Sequence, residues 1–202
     1  MRLWVATDPL VLASKSSTRR KILVHAGIPV DIHPASIDER AVEASIAPQG
    51  PADAALMLAH AKAIAASSPL PGRIVLGADQ TLALGGQRFS KPANRAAAKA
   101  QLQELSGKTH ELHSAFALAR DGKVLFEHRD SARLTMRGLN EFIVESYLEA
   151  AGEAALSSVG AYQIEDVGIQ LFERIEGDYF TILGLPLLPL LDWLRRNGFV
   201  AT

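Results

Sequence analysis

Apolar residues recur every three to four positions in several segments, a spacing that places them on one face of an α-helix. In residues 18–26 this face contains Ile22, Leu23 and Ala26. Similar patterns predict helices over residues 52–67, 94–105, 140–150 and 187–196. The last of these is amphipathic and is followed by Gly198, so we expect it to close the fold by packing its apolar face against the rest of the protein.

Short apolar runs elsewhere predict strands that are buried on both faces. Residues 10–13 and 74–76 are runs of this kind. Later in the chain, residues 112–120 and 124–134 flank Asp121-Gly122, a dipeptide that favours a tight turn between two antiparallel strands. The alternation of strands and helices in the first half predicts an α/β fold.

Neither a linker nor an internal repeat divides the chain. Gly50-Pro51 and residues 69–72 are short turn sequences between predicted elements. With 202 residues, 48% of them hydrophobic, the chain is long enough for one sizeable core or for two small lobes that share a cleft. We therefore expect residues 1–202 to form a single domain.

Composition narrows the classes of function. The formal net charge is −1 and there is no long basic run, which argues against a nucleic-acid-binding scaffold. The absence of cysteine removes disulfides and thiolate zinc sites, and it fits a reducing compartment. No apolar span approaches the roughly 18 residues of a membrane helix, and residues 1–9 lack the apolar core of a signal peptide. We expect a cytoplasmic protein that binds neither nucleic acid nor a membrane.

A polar stretch between the first predicted strand and the first predicted helix contains hydroxyls and two adjacent arginines. A helix start offers unpaired N–H groups and the positive end of the helix dipole, which stabilise an anion. Ser16 and Ser17 could cap the helix or bind such an anion, and of Arg19 and Arg20 only one can easily point inward; we favour Arg19. The alternative is an ordinary serine cap followed by two solvated arginines.

Two further stretches supply a carboxylate and a second cation. Asp79 follows the apolar run at residues 74–76 and is therefore predicted at the end of a buried strand, where it could bind a divalent cation or accept a proton from water. An aspartate near glycine is also common in turns. Lys91 precedes Pro92, which favours an extended backbone, but such a lysine is often only a solvated loop residue.

These stretches occur in the order found in the Maf family of nucleoside triphosphate pyrophosphatases, which the chain resembles over almost its whole length. The family motif Leu-Ala-Ser-x-Ser-Pro-x-Arg corresponds to residues 12–19, with Ser17 in the place of the proline. The other matching segments are residues 38–39, 59–63, 77–79, 91–92, 105–107, 160–165, 175–177 and 184–187. The resemblance implies an α/β fold similar to that of inosine triphosphatases, with a mixed twisted sheet, flanking helices and two lobes around a cleft.

The same resemblance implies a reaction and the residues that perform it. Maf proteins hydrolyse a nucleoside triphosphate between its α- and β-phosphates, giving the monophosphate and pyrophosphate. The positions that match the family's phosphate-binding residues are Ser16, Arg19, Lys62 and Lys91. Glu39 and Asp79 match its ligands for a divalent metal, magnesium or manganese, and Asp79 also matches its proposed proton acceptor.

Base preference is predicted from three positions at which Maf branches differ. Where the dTTP- and UTP-acting branch has arginine, threonine and glutamine, this chain has Thr18, Gln80 and Glu165. Gln80 and Glu165 resemble instead the branch that acts on 7-methyl-GTP. A carboxylate can accept both N–H donors of a guanine edge, whereas a pyrimidine edge is better served by an amide. Tyr162 and Gln163 look more like the pyrimidine branch, so dTTP and UTP remain the alternative substrates.

Two rival functions belong to other classes. A nucleotide-binding regulator of septum formation could use the same phosphate site without turnover, but it would not need the acid at Asp79. An interaction module built on the C-terminal helix would explain none of the charged positions. Family members are commonly dimers, so a homodimer is possible here.

No metal-binding or base-stacking role is predicted for the histidines and tryptophans: most histidines are expected at the surface, and Trp4 and Trp193 are expected to pack. His110 and His113 lack the spacing of a helical zinc site, and on a strand they would lie on opposite faces. His110 matches a family position and is kept as a structural candidate near the cleft. Trp193 shares a helix face with Leu190 and Leu194 and is expected to pack rather than to stack on a base.

Overall fold

The computed structural model describes residues 3–46 and 50–202 and forms a mixed α/β fold, as the sequence predicts. In the described part of the chain a single sheet contains seven strands in the order β2-β1-β3-β5-β6-β7, with β4 paired to β3. The strands are β1 (Leu10–Leu12), β2 (Val30–Ile32), β3 (Val75–Leu84), β4 (Gln87–Phe89), β5 (Thr109–Arg120), β6 (Lys123–Met136) and β7 (Phe172–Glu176). β1 pairs in parallel with β2 and β3, and the other pairs are antiparallel.

The helices agree closely with the periodic segments of the sequence. They are α1 (Ser17–His25), α2 (Glu39–Ile46), α3 (Pro51–Ser67), α4 (Arg95–Leu105), α5 (Glu141–Ala151), α6 (Tyr179–Ile182) and α7 (Leu187–Arg196). The short helices α2 and α6 were not predicted. No helix in the described ranges is both long and apolar enough to span a bilayer. Residues 1 and 2 of the segment tested for a signal peptide lie outside the described residues.

The β5–β6 hairpin is confirmed at the predicted turn. Arg120 pairs with Lys123, and the two residues between them, Asp121 and Gly122, have φ values of 52° and 74°. Positive φ at both central residues is the conformation of a type I′ turn, which matches the twist of the flanking strands. The local sequence signal was therefore sufficient here.

Asp79 does not lie at the end of a strand, contrary to the sequence prediction. β3 continues from Val75 to Leu84, so Asp79 lies in its middle. The strand continues beyond the apolar run because the residues that follow pair with β5. On the other side of β3, β1 pairs only with Val75 and Leu76. The carboxylate thus lies beyond the end of β1, where this edge of β3 is no longer covered by the parallel strand.

Two large hydrophobic clusters lie on either side of this polar position and form the two lobes expected around a cleft. Leu76 and Ala78 belong to one cluster, together with the apolar face of α7, and Leu82 belongs to the other. Asp79 and Gln80 are the partly exposed residues between these two halves of β3. The prediction that residues 1–202 form one domain stays a prediction.

Helix α3 packs unusually close to the sheet because small residues face each other. Its buried alanines form small clusters with alanines of β5, Ala59 with Ala115 and Ala63 with Ala117. Opposite them on β3 lies Gly77, where a Cβ atom would be only 2.2 Å from the carbonyl oxygen of Ala59. This close approach brings the helix residue Lys62 within reach of β3 and therefore positions the site described next.

The strand positions expected for His110 and His113, and the packing expected for Trp193, agree with the structure. His110 is fully buried on β5, whereas His113 is partly exposed beside Glu111, so the two rings lie on opposite faces. The indole of Trp193 stacks on Phe199 with a centroid distance of 5.8 Å. It therefore packs against the hydrophobic cluster under α7.

Candidate active site

The first wall of the site is the turn between β1 and α1, where Ser16 is the N-cap of the helix. Its Oγ accepts a hydrogen bond from the backbone N–H of Arg19 at 3.3 Å. Ser14 Oγ accepts from the backbone N–H of Ser16 at 3.2 Å, which further fixes the turn. The capping role proposed for Ser16 is confirmed, and its role in phosphate binding stays a prediction.

Arg19 points into the fold and Arg20 is exposed, as the sequence argument favoured. Arg19 Nε donates to the carbonyl oxygen of Gly184 at 2.8 Å, and its Nη1 donates to Ser14 Oγ at 3.3 Å. Desolvation lowers the pKa of Arg19, and the negative charges of Asp79 and Glu39 oppose this shift. Because arginine stays protonated in proteins, the result is a charged guanidinium whose orientation is fixed by the main chain of a distant segment.

Lys62 and Asp79 form the centre of the site. Lys62 Nζ lies 2.6 Å from Asp79 Oδ1 and 2.9 Å from Glu39 Oε1. The Lys62 and Asp79 side chains are only 11% and 13% exposed, whereas Glu39, at the start of α2, is 55% exposed. One ammonium group therefore holds two carboxylates together at the partly buried middle of β3.

The pKa of Lys91 is influenced by the charges of the other site residues. Partial desolvation lowers the pKa of Lys91, and the neighbouring guanidinium of Arg19 lowers it further. The carboxylates of Asp79 and Glu39 act in the opposite direction. Lys91, an exposed loop residue before α4, therefore lies in the same charged region as Arg19 and Lys62.

The side-chain amide of Gln80 is hydrogen-bonded to other residues of the protein. Its Nε2 carries two N–H groups and lies within hydrogen-bond distance of three acceptors, the carbonyl oxygens of Thr181 and Ile182 at 3.2 and 2.9 Å and Ser114 Oγ at 3.0 Å. Ser114 Oγ in turn donates to the Thr181 carbonyl at 2.7 Å. These partly buried hydrogen bonds link the segment around α6 to the sheet, and the same segment supplies the Gly184 carbonyl that accepts from Arg19.

The two other residues predicted to set base preference meet each other. Thr18 Oγ1 donates to Glu165 Oε1 at 3.3 Å across 147 positions of sequence. Glu165 is exposed and Thr18 is half-buried. The carboxylate is therefore accessible at the mouth of the site, whereas the amide nitrogen of Gln80 is already committed to main-chain carbonyls and Ser114.

The donor set suits a divalent cation only together with a substrate. In the described ranges no group of three or more histidine, cysteine, aspartate or glutamate side chains could hold a metal ion. The carboxylates of Glu39 and Asp79 do lie close together, because each of them contacts Lys62 Nζ. Magnesium is commonly bound by one or two carboxylates plus substrate phosphates and waters, so these two residues fit that pattern.

Several site residues were not found by sequence reasoning. Ser14 was quoted within the family motif but given no role, although its hydroxyl contacts the Arg19 guanidinium. Ser114 and Thr181 carried no signal, because their contacts link β5 to a segment more than 60 residues away. Gly184 acts through its carbonyl, which no side-chain pattern reveals; its φ of 92° is the left-handed conformation that favours glycine.

With this geometry in place, comparison with known proteins identifies the family. A model described as a Maf-like protein matches residues 9–197. The chain belongs to the Maf family. The resemblance predicted from the ordered motifs is therefore confirmed.

Named relatives match all or nearly all of the chain. A Rhodopseudomonas palustris (strain BisB18) protein named nucleoside triphosphate pyrophosphatase is 56% identical over 201 residues, which cover 100% of both chains. A Brucella abortus protein named 7-methyl-GTP pyrophosphatase is 56% identical over 193 residues, 95% of this chain and 97% of that protein.

Similarity to solved structures is weaker. A HAM1 protein from Coxiella burnetii is 17% identical, with a TM-score of 0.42 over 63% of this chain and 72% of that one. A dITP/XTP pyrophosphatase from Mycobacterium abscessus is 15% identical, with a TM-score of 0.39 over 95% of this chain and 94% of that one. At these scores the similarity supports no argument about this chain.

Proposed function

We propose that this Maf protein hydrolyses nucleoside triphosphates between the α- and β-phosphates and releases a nucleoside monophosphate and pyrophosphate. The observation that carries the proposal is the convergence of Asp79 with Lys62, Arg19 and Lys91 at the break between the two lobes. The names of relatives that are more than half identical over their full length support the same reaction.

The cations are proposed to bind and orient the triphosphate. The guanidinium of Arg19 is fixed by Gly184 and Ser14, so it can present its remaining donors to phosphate oxygens without further ordering. Lys91 is a second charge close to Arg19, and their mutual repulsion would be relieved when a phosphate group lies between them. Ser16 adds a hydroxyl at the start of α1.

Asp79 is proposed to accept the proton of the attacking water. Lys62 holds Oδ1, which fixes the orientation of the carboxylate and leaves Oδ2 for the water. As the water oxygen forms a bond to the α-phosphorus, the bond to the bridging oxygen breaks, and the electron pair leaves with pyrophosphate. The proton goes to Asp79 and is later released to solvent.

Glu39 and Asp79 would hold a magnesium or manganese ion. Such an ion would supply positive charge that offsets the charge of the phosphates. Lys62 would then remain as the cation that keeps both carboxylates close to each other.

The proposed base preference is 7-methyl-GTP, with dTTP or UTP as the alternative. Glu165 is an exposed carboxylate whose Oε1 already accepts a hydrogen bond from Thr18. A guanine edge could donate two N–H groups to this carboxylate, and the positive charge of a 7-methylated guanine would strengthen the contact. The Brucella relative with that activity in its name supports this preference.

The decisive test of the reaction uses purified protein, a panel of 7-methyl-GTP, GTP, dTTP, UTP and CTP, and either magnesium or manganese. Release of pyrophosphate and monophosphate in equal amounts is the expected result, and Asp79→Asn should abolish it while nucleotide binding remains. No release from any member would instead favour a nucleotide-binding regulator without turnover.

The base preference is tested with Glu165→Gln in the same panel. Removing the charge should lower kcat/KM for 7-methyl-GTP by roughly tenfold or more and leave dTTP and UTP turnover little changed. A wild-type preference for dTTP or UTP would overturn the guanine assignment and keep the reaction. The homodimer and the cytoplasmic location expected from the sequence stay predictions.

A further inference from the structure

Residues 181–184, at the end of α6, form a turn that links the guanidinium of Arg19 to the sheet. In this 181–184 turn the carbonyl oxygen of Gly184 accepts a hydrogen bond from Arg19 Nε at 2.8 Å. The backbone N–H of Gly184 donates in turn to the carbonyl oxygen of Thr181 at 3.0 Å. The orientation of the Gly184 carbonyl, and with it that of Arg19, therefore depends on how Thr181 is fixed.

The guanidinium of Arg19 depends on this carbonyl because its protein partners are few and neutral. Among the residues that the structure describes, Gly184 and Ser14 are its acceptors, and no carboxylate forms an ion pair with it. A Cβ atom on Gly184 would lie 3.3 Å from Arg19 Nη2, so the guanidinium lies directly against this glycine. A shift of the 181–184 turn would therefore shift the guanidinium or release it.

The main chain of Thr181 is attached to β5 by a buried hydroxyl. Ser114 Oγ donates to the Thr181 carbonyl oxygen at 2.7 Å, and Ser114 is only 1% exposed. Solvent therefore does not compete for this hydrogen bond, which raises the cost of removing it. Since the same carbonyl accepts from the N–H of Gly184, Ser114 is connected to Gly184 through one shared acceptor.

The side chain of Thr181 attaches the same turn to β6. Its Oγ1 donates to Asp130 Oδ2 at 2.8 Å, and the residue is fully buried. Its backbone N–H donates to Oδ1 of Asp178, the N-cap of α6, at 3.0 Å. A hydrogen bond to a carboxylate is stronger than one between neutral groups, so the hydroxyl of Thr181 is a second firm attachment of the 181–184 turn.

We propose that Ser114 and Thr181 are positioning residues of the phosphate site, which fix the 181–184 turn so that the Gly184 carbonyl orients the Arg19 guanidinium. The proposal rests on the proposed function, because it takes Arg19 as a ligand of the triphosphate. Both attachments reach strands of the central sheet, which position a group more precisely than loops do. A guanidinium that is already oriented loses less freedom when a phosphate binds, so loosening the turn lowers affinity.

The first measurement is the hydrogen-exchange rate of the Arg19 Nε–H group, followed by NMR and assigned by the loss of its signal in Arg19→Lys. It reports directly on the hydrogen bond to Gly184 and needs no ligand. The second measurement is isothermal titration calorimetry, with magnesium present, of the GTP and UTP analogues that have a methylene group between the α- and β-phosphorus atoms. These analogues carry the triphosphate but resist hydrolysis at the proposed bond.

The variants are Ser114→Ala, which removes one hydroxyl, and Thr181→Val, which removes the other and keeps a similar shape. Ser114→Thr restores a hydroxyl at the first position. The matched control is Ser67→Ala, because Ser67 is also a fully buried serine, and its hydroxyl donates to the Ile64 carbonyl and accepts from the Gly122 N–H, neither of which belongs to the site.

Ser114→Ala and Thr181→Val should each raise the exchange rate of the Arg19 Nε–H about fivefold and weaken binding of both analogues by a similar factor, as expected for the loss of one hydrogen bond. Ser114→Thr should restore both values. Ser67→Ala should lower the Tm as Ser114→Ala does but change neither the exchange rate nor the affinities.

An unchanged exchange rate in both variants would overturn the proposal, as would weaker binding without faster exchange. Faster exchange with unchanged affinity would also overturn it, since the orientation of Arg19 would then not matter for phosphate binding. If the unmodified protein bound neither analogue, the proposed function would fail, and the exchange rates would still decide whether Ser114 and Thr181 position Arg19.

Discussion

Gly77→Ala should damage both the stability and the activity of the protein, because it inserts one methyl group where α3 meets β3. The new Cβ would lie 2.2 Å from the carbonyl oxygen of Ala59 and 2.5 Å from the backbone nitrogen of Ala63. Both neighbours are main-chain atoms of a helix, so neither can rotate away. An ordinary contact begins at 3.4 Å, and the helix must therefore retreat by about 1 Å.

The cost can be estimated from this displacement. Overpacking of a core position costs about 1–3 kcal/mol, which lowers the Tm of a protein of this size by roughly 2–12 °C. Lys62 precedes Ala63 on the same helix, so the retreat also lengthens its 2.6 Å contact with Asp79. A displacement of about 1 Å in a catalytic constellation can lower kcat about 100-fold.

The assay combines thermal unfolding, followed by circular dichroism, with pyrophosphate release measured at 25 °C, where the variant is still folded. Gly138→Ala is the matched control, because a Cβ at that position meets no atom within 4 Å and its φ is not in the left-handed region. Gly77→Ala with the Tm and the turnover of the unmodified protein would refute the claim that this close approach positions Lys62.

Three further predictions concern charge. Since the pKa of Lys91 is lowered, kcat/KM should decline on the alkaline side at a pH below the ordinary lysine range. In a pH–rate profile, Lys91→Arg should remove that decline, because arginine stays protonated. An unchanged profile would contradict the role of Lys91. Burial lowers the pKa of His110 from 6.5 to about 4, so the unfolded state binds more protons between these values and stability should fall by about 3 kcal/mol as the pH is lowered through them. Urea titrations at pH 7 and 4.5 measure this loss, which should be smaller in His110→Gln. Arg19→Lys should lower kcat/KM about 100-fold, because an ammonium lacks the planar fork by which the guanidinium contacts Gly184 and Ser14 through separate nitrogens and keeps further donors for a phosphate. A near-normal value would mean that the fork geometry is unimportant.

Features with a local cause were predictable from the sequence. The β5–β6 turn follows from Asp121-Gly122, and α4 begins directly after its N-cap Asn94, whose side chain accepts a hydrogen bond from the N–H of Ala97. Helix α7 was predicted from its periodic leucines. Each of these signals lies within a few residues of the structure that it determines.

Features with a distant cause were missed or required the family resemblance. The full length of β3 depends on pairing with β5, from Val75 opposite Ala119 to Ala83 opposite Glu111, and its own sequence does not encode that partner. Nothing local marks Lys62, a lysine in an alanine-rich helix, as the partner of Asp79. The hydrogen bond from Arg19 to the Gly184 carbonyl joins residues 165 positions apart. Its acceptor is a main-chain atom, which a side-chain pattern cannot reveal.

The measurement that tests the central claim most directly is hydrolysis of a nucleoside triphosphate in water enriched in oxygen-18, followed by mass spectrometry of both products. Attack at the α-phosphorus by a water that Asp79 deprotonates predicts one labelled oxygen in the monophosphate and none in pyrophosphate, with no labelled product from Asp79→Asn. Label in pyrophosphate, or formation of a diphosphate and phosphate, would contradict the account.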